Sequence, residues 1–308
     1  MLINSGARTD IPAFFSPWFL NRIRQGSVCV RNPYYPSQIT RYRLAPDVID
    51  CLLFCTKNPR PMLPHLAKLD AFSSYWFVTI TPYGRDVEPH VPYPDLVIRD
   101  FQILSEKYGS HRVCWRYDPI FFYGRYDFDT HLAAFEKMAE ALSGYTDACV
   151  ISFISLYQKT KRNFPGVLAV SAEDKIRLAE ALVAIGQRYH IAIKTCAEAA
   201  DLRGCGVDMS GCLARVVLEE AVGTGLKNVH AKANRTECAC YPSRDIGAYN
   251  TCLHGCLYCY ANYDQETVRR NWALHDPDSS LLIGTIGEGD TVRDAEQVCY
   301  ADTQPLLL

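Results

Sequence analysis

The chain carries almost no net charge: 34 acidic residues against 32 Lys and Arg leave −2 over 308 residues. So even a balance argues against a general polyanion binder, and nucleic acid is not an expected partner. No apolar run approaches the roughly 18 residues that a membrane span needs. The first residues, MLINSGARTDIP, lack the basic start and apolar stretch of a secretory leader, so a reducing cytoplasm is the expected compartment. No G-x-G-x-x-G follows any strand-like run, which leaves a dinucleotide-binding fold without its usual signature. Internal repeats and low-complexity tracts are also missing. At 48% hydrophobic and 21% charged, the chain can bury a large core in one big domain or two modest ones.

What the chain does have is cysteine, 14 in all, and five of them fall between Cys238 and Tyr263. At 14 in 308, a stretch of 26 residues would hold about one. Cys252, Cys256 and Cys259 form C-x3-C-x2-C, with Cys238 and Cys240 as C-x-C just upstream. In a reducing compartment, clustered cysteines point to metal or catalysis rather than disulfides. Three thiolates from one tight loop suit three irons of a [4Fe-4S] cube and leave the fourth iron open, whereas an electron-carrying cluster is closed by four. Four of the five thiolates could instead close a tetrahedral zinc. Cys29, Cys51, Cys114 and Cys149 sit inside apolar runs and read as inert core thiols.

C-x3-C-x2-C with Tyr258 before its last cysteine resembles the cluster loop of radical S-adenosylmethionine enzymes. That resemblance implies a [4Fe-4S] cluster on Cys252, Cys256 and Cys259, with S-adenosylmethionine chelated at the open iron. Tyr258 would lie beside the adenine, and an electron donor such as flavodoxin or ferredoxin would be a partner. More widely, the chain resembles a prokaryotic family known as domain of unknown function 1848. This likeness covers roughly residues 1–284 and runs through Asn4-Ser5-Gly6-Ala7-Arg8-Thr9-Asp10-Ile11-Pro12, Asp245-Ile246-Gly247-Ala248-Tyr249 and Cys259-Tyr260-Ala261-Asn262. Radical enzymes usually carry the loop after their first strand. Here only about 50 residues follow Cys259, so the loop must reach back over a domain already built.

Short apolar runs recur every 25 to 40 residues: Met1–Asn4, Ser27–Val30, Cys51–Phe54, Trp76–Ile80, Val113–Trp115, Cys149–Phe153, Ile191–Lys194 and, more weakly, Val207–Met209. Runs apolar throughout fit parallel strands covered on both faces. Helical stripes lie between them, over Pro94–Tyr108, Asp129–Leu142 and Ser171–Tyr189, the last with Ser171 as cap and Asp174 three residues on. Seven or eight such units predict a (β/α)8-type, TIM-like barrel or a variant with one unit incomplete over residues 1–223. An open doubly wound sheet is the alternative. Residues 224–284, with a helix over Asp264–Leu274, would form a cysteine-rich extension packed on the barrel mouth, and 285–308 a loose tail.

In a barrel, chemistry gathers just past the strand ends. Those positions supply Arg8 and Asp10, Lys57, Arg116 and Asp118, then Lys194 and Glu198 as candidate catalytic residues, with Arg31 and Asn32 as candidates for holding the cofactor. So many cations at one mouth suggest a small anionic substrate. Arg116 with Asp118, Arg8 with Asp10 and Lys194 with Glu198 are also spaced to neutralise one another. Lys57, Lys194 and Asp118 would suit a Schiff-base aldolase, but that reading leaves the cysteines unexplained. The basic run Lys159, Lys161, Arg162 reads as a solvated loop. Cys196, Cys212, Cys238 and Cys240 are candidates for a second metal site, either another iron–sulfur cluster or a zinc. His254 and His275 are expected to donate hydrogen bonds or face solvent.

Two other functions compete with radical catalysis. One is a barrel whose cluster or zinc is structural or carries electrons. The other, suggested by the Tyr258-Cys259-Tyr260-Ala261 likeness to some radical repair lyases, is nucleic-acid repair.

Overall fold

The computed structural model of the protein describes residues 1–196, 198, 202–228 and 240–302. Its strands are β1 (Leu2–Asn4), β2 (Ser27–Arg31), β3 (Gln38–Arg43), β4 (Cys51–Thr56), β5 (Ser74–Thr79), β6 (Val113–Ile120), β7 (Ala148–Phe153), β8 (Ala192–Thr195), β9 (Ser243–Asp245) and β10 (Thr291–Asp294). The α-helices are α1 (Ile11–Phe14), α2 (Ser16–Gln25), α3 (Pro94–Tyr108), α4 (Phe128–Leu142), α5 (Gln158–Asn163), α6 (Ala172–Arg188), α7 (Arg215–Val222) and α8 (Gln265–Trp272).

Seven strands form one parallel sheet in the order β8-β7-β6-β5-β4-β1-β9. The last strand of this sheet in sequence, β9, therefore lies beside the first, as in a barrel. Among the described residues, however, no pairing joins β8 to β9, and a closed (β/α)8 barrel is not what the structure shows. It is a mixed α/β fold: a seven-stranded parallel sheet flanked by helices.

The two faces of the sheet are unlike. Ile3, Leu52, Phe54, Trp76, Trp115 and Ile151 point to one side, where they pack with side chains from α2, α3, α4 and α6. Phe54 stacks on Trp76 at 4.0 Å between centroids, and Trp115 stacks on Phe135 of α4 at 4.5 Å. Each such aromatic contributes about 4–6 kcal/mol of gross hydrophobic transfer. The alternate residues Leu2, Leu53, Phe77, Cys114 and Val150 face the other way, into a smaller cluster with Leu213 and with Leu218 of α7. Above this smaller cluster the inner face is lined by polar groups.

The helices begin where their capping residues stand. The Ser171 hydroxyl accepts from Asp174 N–H at 3.0 Å, and Asp127 and Asp264 cap α4 and α8 in the same way. Pro94 opens α3 at a position whose N–H would be unused in any case.

Three expectations need correction. Ser27–Val30 is not a strand of the main sheet. It forms β2, antiparallel to β3, and the pair is extended by β10. In β3 only Ile39 is buried, while Gln38, Arg41 and Arg43 are exposed, so the strand belongs to a half-solvated ribbon. Val207–Met209 supplies only an isolated bridge, Lys194 to Asp208. The segment after Gly284, expected to be loose, adds β10 to the small sheet and folds back on Asp50, which accepts from the backbone N–H groups of Tyr300 and Ala301. The cysteine-rich stretch, expected as an extension packed on the mouth, supplies a strand of the sheet, because β9 pairs with β1 in register Asn4 to Asp245.

Candidate functional site

The loops past the parallel strands surround a cavity of about 640 Å3. Its wall draws on the inner faces of β1, β4, β5, β6, β7 and β9, and its roof is the cysteine loop. Tight turns bring the chain there. After β1 the backbone crosses the end of β4 so closely that a Cβ on Gly6 would stand 2.3 Å from the Cys55 carbonyl oxygen. This position therefore admits only glycine. The two motifs that β1 and β9 carry then meet: Asp245 accepts from Ala7 N–H at 2.8 Å and from Gly247 N–H at 2.9 Å, while Arg8 lies 3.7 Å from it.

The cysteine loop is strapped down on three sides. Its own turns use Asn250 and Gly255 in left-handed conformations, and Cys259 N–H donates to Cys256 O at 3.1 Å. Toward the β5–α3 connection, Leu257 N–H donates to Val87 O at 3.0 Å, and His90 N–H donates to His254 O at 3.1 Å. From α8, the Trp272 indole N–H donates to Thr251 O at 2.8 Å and the Asn271 amide donates to Asn250 O at 3.0 Å. The basic run after β7 is part of this fastening. Lys159 Nζ donates to Tyr260 O at 3.3 Å, Thr160 to Tyr258 O at 3.4 Å, and Asn163 to Tyr263 O at 3.1 Å. A run expected to be a solvated loop thus clamps the site's roof.

Cys252, Cys256 and Cys259 all line the cavity. Burial raises the pKa of each thiol; for Cys252 and Cys256, the neighbouring thiols of the loop raise it further. Among the described residues no group of three or more His, Cys, Asp or Glu is placed to hold a single metal ion. What the three share is one anchored loop and one cavity, and thiolates are the donors an iron–sulfur cluster takes.

Beside the loop lies a network of which local pattern along the chain shows no sign. Glu88, buried at 3% exposure, accepts from Lys57 Nζ at 2.8 Å, from the Thr81 hydroxyl at 2.9 Å and from the Tyr258 hydroxyl. Burial works against the Lys57 ammonium, yet the Glu88 carboxylate outweighs it and raises the lysine pKa. The Tyr258 phenol is pushed well up, by burial first and then by Cys256 and Glu88. Its ring belongs to the cluster of Tyr83 and Phe121, at centroid distances of 6.0 and 5.9 Å. Asp10 caps α1 through Ala13 N–H at 3.0 Å, accepts from Lys57 N–H at 2.8 Å and holds His254 Nε2 at 2.9 Å. His254, expected at a surface or as a donor, is in fact buried.

A third group occupies the floor. Arg116 pairs with Asp118, whose other oxygen accepts from the Ser152 hydroxyl at 2.6 Å. Burial opposes both charges, but each stabilises the other, so the Arg116 pKa is raised and the Asp118 pKa lowered. Cys196 and Cys212 are hydrogen-bonded, and the Cys212 and Cys240 sulfurs are 3.3 Å apart. All three line the cavity. Cys238 lies outside the described residues.

Five of the expected residues are placed elsewhere. Arg31 belongs to the small sheet and pairs with Asp290, while the Asn32 side chain closes a turn by accepting from Tyr34 N–H. Both follow from β2 lying outside the main sheet. Arg8 is turned to Asp245 and to the Tyr249 ring rather than to Asp10. Lys194 pairs with Asp208, and Glu198 with Lys175, rather than with each other. None of the five lines the cavity, whereas Asp10, Lys57, Arg116, Asp118, Tyr258, Cys196, Cys212, Cys240, Cys252, Cys256 and Cys259 do. Glu88 was the residue missed: with Arg85 only three residues before it, nothing in its segment marked Lys57 as its partner.

A family model described as a domain of unknown function (DUF1848) matches residues 2–261. The chain belongs to this family. The matched segment spans β1 to β9 and ends two residues beyond Cys259, so the DUF1848 region contains nearly the whole cavity wall and all three loop cysteines. Tyr300, which also lines the cavity, comes from beyond it. No curated protein and no solved structure gives a significant match to the chain.

Proposed function

We propose that the protein is a radical S-adenosylmethionine-type enzyme that holds a [4Fe-4S] cluster on Cys252, Cys256 and Cys259 and acts on a small molecule in the cavity. One observation carries this reading: the three thiols of C-x3-C-x2-C line a single large cavity at the C-terminal ends of a parallel sheet. The chemistry such a cluster supplies when bound is one-electron reduction of S-adenosylmethionine, which yields a 5'-deoxyadenosyl radical. The chain's own part is placement and exclusion of water. Asp10, Glu88 and the α5 clamp hold the loop over the cavity, and the aromatic cluster of Tyr83, Phe121 and Tyr258 walls off one side.

The cations of the cavity modify the expected ligand. Lys57 and Arg116 already hold Glu88 and Asp118, and Asp10 and Asp118 line the cavity with the two cations, so the wall offers charges of both signs. A zwitterion, such as the amino-acid end of S-adenosylmethionine, matches that pattern better than a bare anion, which would have to displace a carboxylate. Nothing in this arrangement suits a nucleic-acid backbone.

The test is anaerobic reconstitution followed by dithionite reduction in the presence of S-adenosylmethionine. Iron and sulfide in fourfold stoichiometry and formation of 5'-deoxyadenosine are expected. A full cluster that forms no 5'-deoxyadenosine would overturn the catalytic reading in favour of an electron-carrying or structural cluster, and zinc in place of iron would overturn both.

A further inference from the structure

Three cysteines meet on the cavity floor: the Cys212 and Cys240 sulfurs are 3.3 Å apart, Cys196 acts on Cys212, and among the described residues they are not placed to hold one metal ion. Two of them are held opposite each other by backbone. Tyr241 N–H donates to Leu213 O at 2.9 Å, and Leu213 N–H donates back to Cys240 Sγ at 3.4 Å. This reciprocal pairing fixes residues 212–213 against 240–241 and leaves the two sulfurs 3.3 Å apart. Bond formation would bring them from 3.3 Å to about 2.05 Å.

We infer that Cys212 and Cys240 are a redox-active dithiol, which closes to a reversible disulfide on the floor of the cavity, with a peroxide as the oxidant. The balance is complete: two S–H bonds and one O–O bond break, one S–S bond forms, and hydrogen peroxide leaves as two waters. One sulfur attacks a peroxide oxygen to become a sulfenic acid and releases the first water. The second sulfur then displaces that hydroxyl as the second water. Both cysteines line the cavity, so a peroxide has a route to them. Cys196, hydrogen-bonded to Cys212 and close enough to Arg116 to feel its charge, is the third thiol through which the disulfide can exchange. The inference is independent of the cluster reading, because no residue of C-x3-C-x2-C takes part.

The full-length protein, reduced and freed of reductant under nitrogen, is exposed to a small excess of hydrogen peroxide. Remaining thiols are alkylated and the digest is read by mass spectrometry. The expected result is a Cys212–Cys240 cross-linked peptide that thiol reductant reverses, with Cys29 and Cys149 alkylated only after unfolding. In Cys240→Ser the link moves to Cys196–Cys212, and in Cys212→Ser neither link forms. The measurement on the unaltered chain stands even where a variant fails to fold. Free, alkylatable Cys212 and Cys240 after oxidation would overturn the inference. So would a stoichiometric metal ion bound at Cys196, Cys212 and Cys240 in the purified protein.

Discussion

The Asp10 carboxylate accepts a hydrogen bond from His254 Nε2 at 2.9 Å, across 244 positions of sequence. Asp10 follows the first strand and His254 sits between two of the loop cysteines, so this contact ties the start of the sheet to the roof of the cavity. The same carboxylate caps α1 and receives the Lys57 N–H, and its residue is only 5% exposed. Asp10→Ala leaves two buried N–H donors and an imidazole unpartnered. A loss of about 3 kcal/mol in urea unfolding is expected, with faster alkylation of Cys252 and Cys256 in the folded state. Asp10→Asn keeps one acceptor oxygen and should lose less than half as much.

Lys57 and Glu88 form a buried pair, so removing one partner is worse than removing both. Lys57→Met or Glu88→Gln should each cost about 3–5 kcal/mol, while Lys57→Met with Glu88→Leu should recover most of the loss. A double-mutant cycle in urea measures the coupling. Additive losses would show that the pair contributes nothing.

The pH dependence of the two buried pairs runs in opposite directions. Lys57 has a folded pKa above its ordinary 10.5, so its contribution is complete below that pH and is lost as pH rises through the folded value. Asp118 has a folded pKa below its ordinary 3.8, so its contribution is present above that pH and is lost as pH falls through the folded value. The stability difference between the native chain and Lys57→Met should stay flat up to about pH 10 and narrow beyond it. The difference for Asp118→Asn should stay flat down to about pH 4 and narrow below it. Urea midpoints measured across the pH range check both.

Cys196 should stand apart from the other thiols. The hydrogen bond from Cys212 and then the charge of Arg116 bring its pKa down to about 6, whereas burial pushes Cys55 and Cys114 up to about 11. Iodoacetamide labelling of the reduced protein at Cys196 should therefore rise through a midpoint near pH 6. Cys212→Ala should move that midpoint upward. A midpoint unchanged in Cys212→Ala would remove the hydrogen bond as the cause.

Each loop thiol can be tested singly. Replacing Cys252, Cys256 or Cys259 by Ala should abolish bound iron and 5'-deoxyadenosine formation together, whereas Cys149→Ala should keep both. Cys149 is fully buried among the side chains that pack against the helices and does not line the cavity. Retention of a full cluster by any of the three variants would mean that another residue supplies a ligand.

The sequence by itself determined six of the seven parallel strands and four of the eight α-helices among the described residues. The all-apolar runs at Cys51, Trp76, Val113 and Cys149 allow no solvent on either face, and the caps at Ser171 and Asp264 mark helix starts through local hydrogen bonds. Both signals act over a few residues. C-x3-C-x2-C was legible for the same reason. Only the tertiary structure decided which strand joins which sheet, because Ser27–Arg31 is as apolar as a core strand, yet its pairing with Gln38–Arg43 takes Arg31 and Asn32 away from the cavity. It alone also brought Glu88 to Lys57 and Tyr258, and His254 to Asp10. Partners separated by tens to hundreds of residues leave no mark on local pattern or spacing, since what selects them is the burial that each charge and thiol shares once the sheet has folded.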